Sequence, residues 1–165
     1  GQFLVADGDM RALVERAVAT TAEVFRERAA QVQVQLPDEA PVLQADPDRI
    51  LQVLLNLLSN AAKFVPSPGG QVQVRLVPDA QGVTVCVQDN GPGVQPGHGA
   101  MILDRFDQTD LGVQVAHGTG LGLPISRHIA EHFGGRLWLE PGAQPGACFC
   151  FWLPRQAPSS GDKNP

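Results

Sequence analysis

From Asp46 to Phe64 the chain has almost no freedom in what it can become. Asp46 offers a capping carboxylate, Pro47 stands where a helix needs no N–H, and Asp48 puts negative charge in the first turn, so a helix is predicted to start here. The stretch that follows, Ile50-Leu51-Gln52-Val53-Leu54-Leu55-Asn56-Leu57-Leu58-Ser59-Asn60-Ala61-Ala62-Lys63-Phe64, is apolar around most of its circumference. Gln52, Asn56, Ser59, Asn60 and Lys63 recur at helical spacing and form one narrow polar stripe. Such a helix must be enclosed by other elements, and its amides and ammonium then need water or a polar ligand. Solvated helix edges usually carry Glu, Lys and Arg, whereas Asn, a poor helix former, is used twice here. Amide oxygens suit a hard cation such as Mg2+, and Lys63 can meet a phosphate as a point charge. The stripe points to a metal-phosphate site.

Other elements must supply the enclosure. Asp9 is predicted to cap a helix from about Met10 to Ala30, because Met10, Leu13, Val14, Ala17, Val18, Thr21, Val24 and Phe25 share one face. Val32, Val34 and Leu36 alternate with Gln33 and Gln35 as in a half-buried strand, which Pro37 to Pro41 ends. Val72, Val74 and Leu76, then Val83, Val85 and Val87, flank Pro78 to Gly82 as an antiparallel hairpin. Residues 90–122 are glycine-rich with little apolar period and read as loop, apart from one short helix near Ala100 to Arg105. A third helix, Leu121 to Phe133, is closed by Gly134-Gly135, and Arg136 to Glu140 with Ala147 to Leu153 forms a last hairpin around Pro141 to Gly146. Residues 155–165 read as a frayed tail, which leaves 1–154 as one domain. This order predicts a two-layer α/β sandwich: a mixed, mostly antiparallel sheet with three main helices on one face.

Composition excludes several classes. At 165 residues with 43% apolar content the chain can bury a core of its own. A net charge of −5 and the absence of any Lys/Arg run argue against a nucleic-acid partner. No apolar stretch approaches the roughly 20 residues that span a bilayer, and no signal-peptide pattern opens the chain, so a soluble, cytoplasmic domain without direct membrane contact is expected. Cys86, Cys148 and Cys150 cannot all pair; each lies in an apolar, strand-like context that suits a small buried side chain, as expected in a reducing compartment. Cys148 and Cys150 have no second pair and no His cluster beside them, which argues against a metal there.

Two glycine segments complete the candidate site. Gln88-Asp89-Asn90-Gly91-Pro92-Gly93 follows a strand; its glycines allow a flat ligand to come close, and Asp89 offers an acceptor to an amino group such as that of adenine. Gly118-Thr119-Gly120-Leu121-Gly122 runs straight into a helix, where bare N–H groups make an anion site. Each alone is a weak signal: the second lacks the Gly-Lys-Ser/Thr of a P-loop, and no strand precedes it as in a dinucleotide fingerprint.

Taken together and in this order, the Asn stripe with its lysine, the Asp-x-Gly-x-Gly at a strand end and the glycine-rich helix start resemble the catalytic, ATP-binding domain of sensor histidine kinases. That family lies in the wider GHKL superfamily, of Bergerat fold, with gyrase, Hsp90 and MutL. The resemblance covers about Asp9 to Pro154. It implies that Asn60 ligates Mg2+, that Asn56 and Lys63 border the phosphates of ATP, and that Phe64 flanks the adenine. It further implies that Asp89, Gly91 and Gly93 bind the adenine, that Arg105 and Phe106 belong to an Ile102-Leu-Asp-Arg-Phe106 motif, and that Gly118, Thr119, Gly120, Leu121 and Gly122 cover the phosphates. Asn56 stands near the place where ATP-hydrolysing relatives carry a glutamate base, so the resemblance implies phosphoryl transfer to a histidine rather than hydrolysis.

The partners so implied are a helical dimerisation and phosphoacceptor domain of the same parent protein and a downstream response regulator. No histidine followed by an acidic residue at the start of a long helical hairpin occurs in these residues, so no catalytic residue is assigned to the chain itself, and His128 and His132 read as helix surface or core. The expected lid, 107–117, carries no Arg or Lys, which keeps open a second reading as a nucleotide sensor or docking domain without phosphotransfer. Cys148 occupies a place where a small hydroxyl residue is common in the family, which puts a water bridge to adenine in doubt.

Overall fold

The computed structural model describes residues 4–94, 103 and 122–156. Within them β1 (Ala6–Asp9), α1 (Met10–Glu27), β2 (Ala30–Gln35), β3 (Val42–Ala45), α2 (Pro47–Phe64), β4 (Gly70–Pro78), β5 (Gly82–Asp89), α3 (Gly122–His132), β6 (Arg136–Leu139) and β7 (Cys148–Pro154) follow in order. Five strands form one sheet in the order β2-β4-β5-β7-β6. β2 runs parallel to β4, and the remaining pairs are antiparallel. The predicted mixed sheet with three helices on one face is the observed architecture.

The alternation seen in the sequence decides which face is covered. Val72, Val74 and Leu76 of β4, Val83, Val85 and Val87 of β5, and Phe149, Phe151 and Leu153 of β7 are buried in one core with the helices. Each such side chain contributes on the order of 1.5–3 kcal/mol when withdrawn from water. The opposite face, free of helices among the described residues, carries Gln71 and Gln73 next to Gln31 and Gln33, and Gln88 beside Cys148. α2 packs against α1 on one side and α3 on the other, and touches β5 beneath. Ile50, Val53, Leu54, Leu57, Leu58, Ala61 and Ala62 bury its apolar circumference, as its composition requires.

Both ends of α2 are fixed. Asp46 Oδ1 accepts from the N–H groups of Asp48 and Arg49, and its Oδ2 accepts from Leu4 N–H at 2.9 Å. At the other end the Arg28 guanidinium donates to the carbonyls of Ala62 (3.0 Å) and Val65 (2.6 Å), groups that the helix leaves without internal partners. Arg28 is in place because α1 stops at Glu27, three residues before the predicted end: Ala29 adopts φ 51°, a left-handed turn that no helix continues through.

Two further departures are structural findings, and one expectation is met at the residue described. β1 and β3 pair antiparallel as a separate two-stranded sheet that the sequence reading did not assign. The tail expected from residue 155 is docked at its first two residues, because Arg155 N–H donates to Gln81, its carbonyl accepts from Gln44 N–H, and Gln156 bridges to Gln44. Of the short helix near Ala100 to Arg105, Leu103 is described; it is helical and buried, and its carbonyl accepts from Arg127 Nη1. Among the described residues no helix is long and apolar enough to cross a membrane.

Candidate functional site

The polar stripe of α2 lies at the centre of the site, and its members have different surroundings. Asn60 is buried (8% exposed), and among the described residues its amide makes no hydrogen bond. Buried amides of proteins are nearly always bonded, to protein, water or ligand, so this one is suited to a polar ligand. Asn56, one turn earlier, is engaged: its Nδ2 donates to Gly122 O at 3.2 Å and to Ser126 Oγ at 3.0 Å. It braces the start of α3 against α2, a role that its spacing alone did not reveal. One turn after Asn60, Phe64 is 48% exposed, and the Lys63 ammonium stands 5.7 Å from its ring centroid.

Asp89 ends β5 at 4% exposure. Its Oδ1 accepts from Gly91 N–H at 2.8 Å and Ala147 N–H at 3.4 Å, while among the described residues Oδ2 accepts nothing. Burial pushes its carboxyl above the ordinary carboxylate range, and the two backbone donors only partly oppose this. Gly91 is required by proximity: a Cβ there would stand 2.5 Å from the Phe64 carbonyl oxygen. The first glycine segment is thereby held against the last turn of α2.

Gly146 belongs to the same wall and was read from the sequence only as part of a turn. At φ 69°, a Cβ on it would lie 2.0 Å from Asp89 O and 2.6 Å from Asp89 Oδ1. Gly93, at φ 80°, is its backbone neighbour. The available signal was a glycine directly before the strand that pairs with the one ending in Asp89, a relation that becomes visible once the β5–β7 register is known.

The site residues therefore fall into two groups. Asn56, Asn60, Lys63, Phe64, Asp89, Gly91, Gly93 and Gly122 lie on or beside α2 and the ends of its neighbours. Arg105, Phe106, Gly118, Thr119, Gly120 and Leu121, together with the expected lid 107–117, lie outside the described residues. His128 and His132 are on α3, with the His132 ring edge-on to Phe133 at 5.0 Å, as expected of helix residues.

Cys148 clusters with Cys86 and Cys150, while the neighbouring Ala147 N–H donates to Asp89 Oδ1. The expectation of small buried cysteines in a reducing compartment is corrected in one respect. Cys86 and Cys150 stand directly opposite in the β5–β7 ladder and are joined by a disulfide. The pairing depends on a register that spacing within the sequence does not specify.

A concavity of about 290 Å3 is lined by the amides of Gln31, Gln33, Gln71, Gln73, Gln88 and Gln144 and reaches Asp89 and Asn90 at the end of β5. Its lining offers no cation to meet a phosphate. The chemistry of an anionic nucleotide thus favours the α2 site, with its ammonium, helix start and unbonded amide.

Enclosure of α2 between Asp89 and the start of α3 defines a class of protein. The chain belongs to the histidine kinase-, DNA gyrase B- and HSP90-like ATPase family, whose model matches residues 45–157. Within that family it is similar to the catalytic domains of sensor histidine kinases. It is 35% identical over 149 residues to the adaptive-response sensory kinase SasA of Synechococcus sp. (strain CC9311), a match that takes in 88% of this chain and 38% of that protein. The nucleotide-free catalytic domain of histidine kinase ThkA superposes with a TM-score of 0.82 at 25% identity, covering 94% of this chain and 99% of that one. Full-length ShkA in complex with AMPPNP superposes with a TM-score of 0.80 at 28% identity, over 97% of this chain and 33% of that one. The chain thus spans well under half the length of the full-length kinases it matches.

Proposed function

We propose that the domain binds ATP with Mg2+ along α2 and delivers the γ-phosphoryl group to a histidine on a separate helical domain. One arrangement carries this reading. Asn56, Asn60 and Phe64 follow at successive turns, and over those eight residues the helix rises about 12 Å. Gly91 and Asp89 stand at the Phe64 end, Gly122 and Ser126 at the Asn56 end, and the buried Asn60 lies between, its amide without a hydrogen bond among the described residues. An adenine nucleotide has the matching order of parts: an amino group for Asp89 Oδ2, a base edge for Phe64, and phosphates for Lys63 and the start of α3. Asn60, midway, would hold the metal ion. The AMPPNP complex of a structural relative is in keeping with this reading.

In this account the acceptor nitrogen attacks the γ-phosphorus in line, the bond to the β–γ bridging oxygen breaks, ADP leaves, and the acceptor gives up its ring proton. Mg2+ supplies charge neutralisation to the phosphates when bound. The residues of this chain position the nucleotide and stabilise developing charge. Asn56 already gives its N–H2 to α3 and offers no carboxylate to activate water, which supports transfer over hydrolysis. We place this activity in the cytoplasm, where ATP is held, with a response regulator as onward acceptor.

The lid segment 107–117, without Arg or Lys, favours a second reading, a domain that binds nucleotide and signals by shape alone. Mixing the chain with a purified helical phosphoacceptor domain from a related kinase and γ-labelled ATP separates the two. Phosphotransfer predicts acid-labile label on the acceptor histidine that disappears with Asn60→Ala. Nucleotide binding with no label on any acceptor supported by an active kinase domain would instead establish the sensor reading.

A further inference from the structure

On the helix-free face the three cysteines of the chain make a cluster that the nucleotide site does not use. Cys148 precedes Cys150 by two residues on β7 and so shares its face; their sulfurs are 3.7 Å apart. All three sulfurs, Cys86 included, lie within 4.8 Å of one another. They form a triangle. A thiol poised to attack the Cys86–Cys150 bond at Cys150 would stand in line behind it, which would carry its sulfur beyond that distance from Cys86. The arrangement is therefore not one of thiol–disulfide exchange.

One of its separations is already that of a trithiolate, and reduction frees the bonded pair to take up the others. Metal–thiolate bonds of about 2.3 Å in a tetrahedral or trigonal site separate the sulfurs by about 3.8–4.0 Å, close to the Cys148–Cys150 distance. The cluster is buried, with Cys148 and Cys150 each 1% exposed, and Trp138 and Ala143 pack over it. The turn that carries Ala143 is tied down by Gln88, whose Nε2 donates to the carbonyls of Gln144 and Pro145. Among the described residues no imidazole or carboxylate joins the sulfurs in a ligand cluster. Three soft donors in an apolar enclosure select a thiophilic cation and reject Mg2+.

Charge identifies the ion further. Arg75 stands opposite Cys86 on β4, and its Nε is buried without a hydrogen-bond partner. Three thiolates and a divalent ion sum to −1, and the Arg75 guanidinium brings the enclosure to neutrality, which burial requires. We propose that, once the Cys86–Cys150 bond is reduced, Cys86, Cys148 and Cys150 bind one divalent thiophilic cation of the Zn2+ and Cd2+ class, with Arg75 as its counter-charge. Reduction by a small dithiol adds two electrons and two protons across the S–S bond, and the dithiol closes to its own disulfide. The ion then displaces three thiol protons to solvent.

The test uses the whole chain, reduced anaerobically with a dithiol that is then removed, and titrated with Cd2+. The expected result is a thiolate-to-cadmium ultraviolet band that saturates at one ion per chain, is competed by Zn2+, and is absent from the oxidised chain. Cys148→Ser should weaken binding about ten-fold or more, and Arg75→Gln should weaken it without changing the stoichiometry. Alkylation of the native chain read by mass spectrometry is independent of any variant: Cd2+ should protect all three cysteines together. No saturable band in the reduced chain, a Cys148→Ser titration matching the parent, or protection of Cys86 and Cys150 without Cys148 would each overturn the proposal.

Discussion

Asp89→Asn is expected to leave a domain at least as stable as the parent that binds adenine nucleotide about 5- to 150-fold more weakly, the range for one lost buried polar contact. The amide oxygen of Asn keeps the bonds from Gly91 and Ala147, so the loop is preserved, while a donor replaces the oxygen that would accept from the adenine amine. Stability should move in the opposite direction to binding. The carboxyl of Asp89 is held above its unfolded value by burial. Between those values the native state binds the extra proton, so the stabilising contribution is full below the unfolded value and is lost as pH rises through the folded one. At neutral pH the parent therefore holds a destabilising buried charge that Asn removes. Thermal melts across pH should show the variant's advantage growing from acid toward neutrality, and titration calorimetry should show the loss of affinity. A variant with parental affinity would remove Asp89 from the adenine pocket.

Gly146→Ala is the second large effect, and Gly142→Ala is its control. Both glycines adopt left-handed backbone, φ 69° and φ 71°, so alanine carries a similar backbone strain of about 1–2 kcal/mol at either. They differ in surroundings: a Cβ at Gly142 meets nothing within 4 Å, whereas one at Gly146 would lie 2.0 Å from the Asp89 carbonyl oxygen. Overpacking of that kind adds about 1–3 kcal/mol. A total of about 2–5 kcal/mol at Gly146 lowers the melting temperature by roughly 5–15 °C in a domain of this size. Nucleotide affinity should fall with it, because Asp89 is the group that must yield. Equal melting temperatures for the two variants would mean that Gly146 and Asp89 are not in close contact.

How legible this was depended on the range of the interaction. The start of α2 was written locally in Asp46, Pro47 and Asp48, and its burial in the density of Leu, Val and Ile; both were found as read. The layers followed from alternation in β4, β5 and β7. What could not be read was set by contacts distant in the chain. β1 and β3 are four residues each, one of them containing Gly8, and form by pairing with each other and by contacts distant in the chain, such as Gln44 with Arg155. The brace from Asn56 to Gly122 spans 66 positions and the Cys86–Cys150 bond 64, and both depend on how helices and strands meet. A polar stripe reports that something will cover it; it does not report which of its members face the ligand and which hold the neighbouring helix.

The central claim is that α2, Asp89 and the start of α3 enclose one magnesium nucleotide. Its most direct test is a backbone and side-chain amide NMR shift map of the labelled chain on adding ADP with Mg2+. The account predicts that the largest shifts fall on Asn60, Phe64, Asp89, Gly91 and Gly122 and weaken when the metal is withheld. Gln31, Gln33 and Gln73, in the cleft on the opposite face of the sheet, should stay in place. Shifts gathered on those glutamines, with Asn60 unmoved, would contradict it.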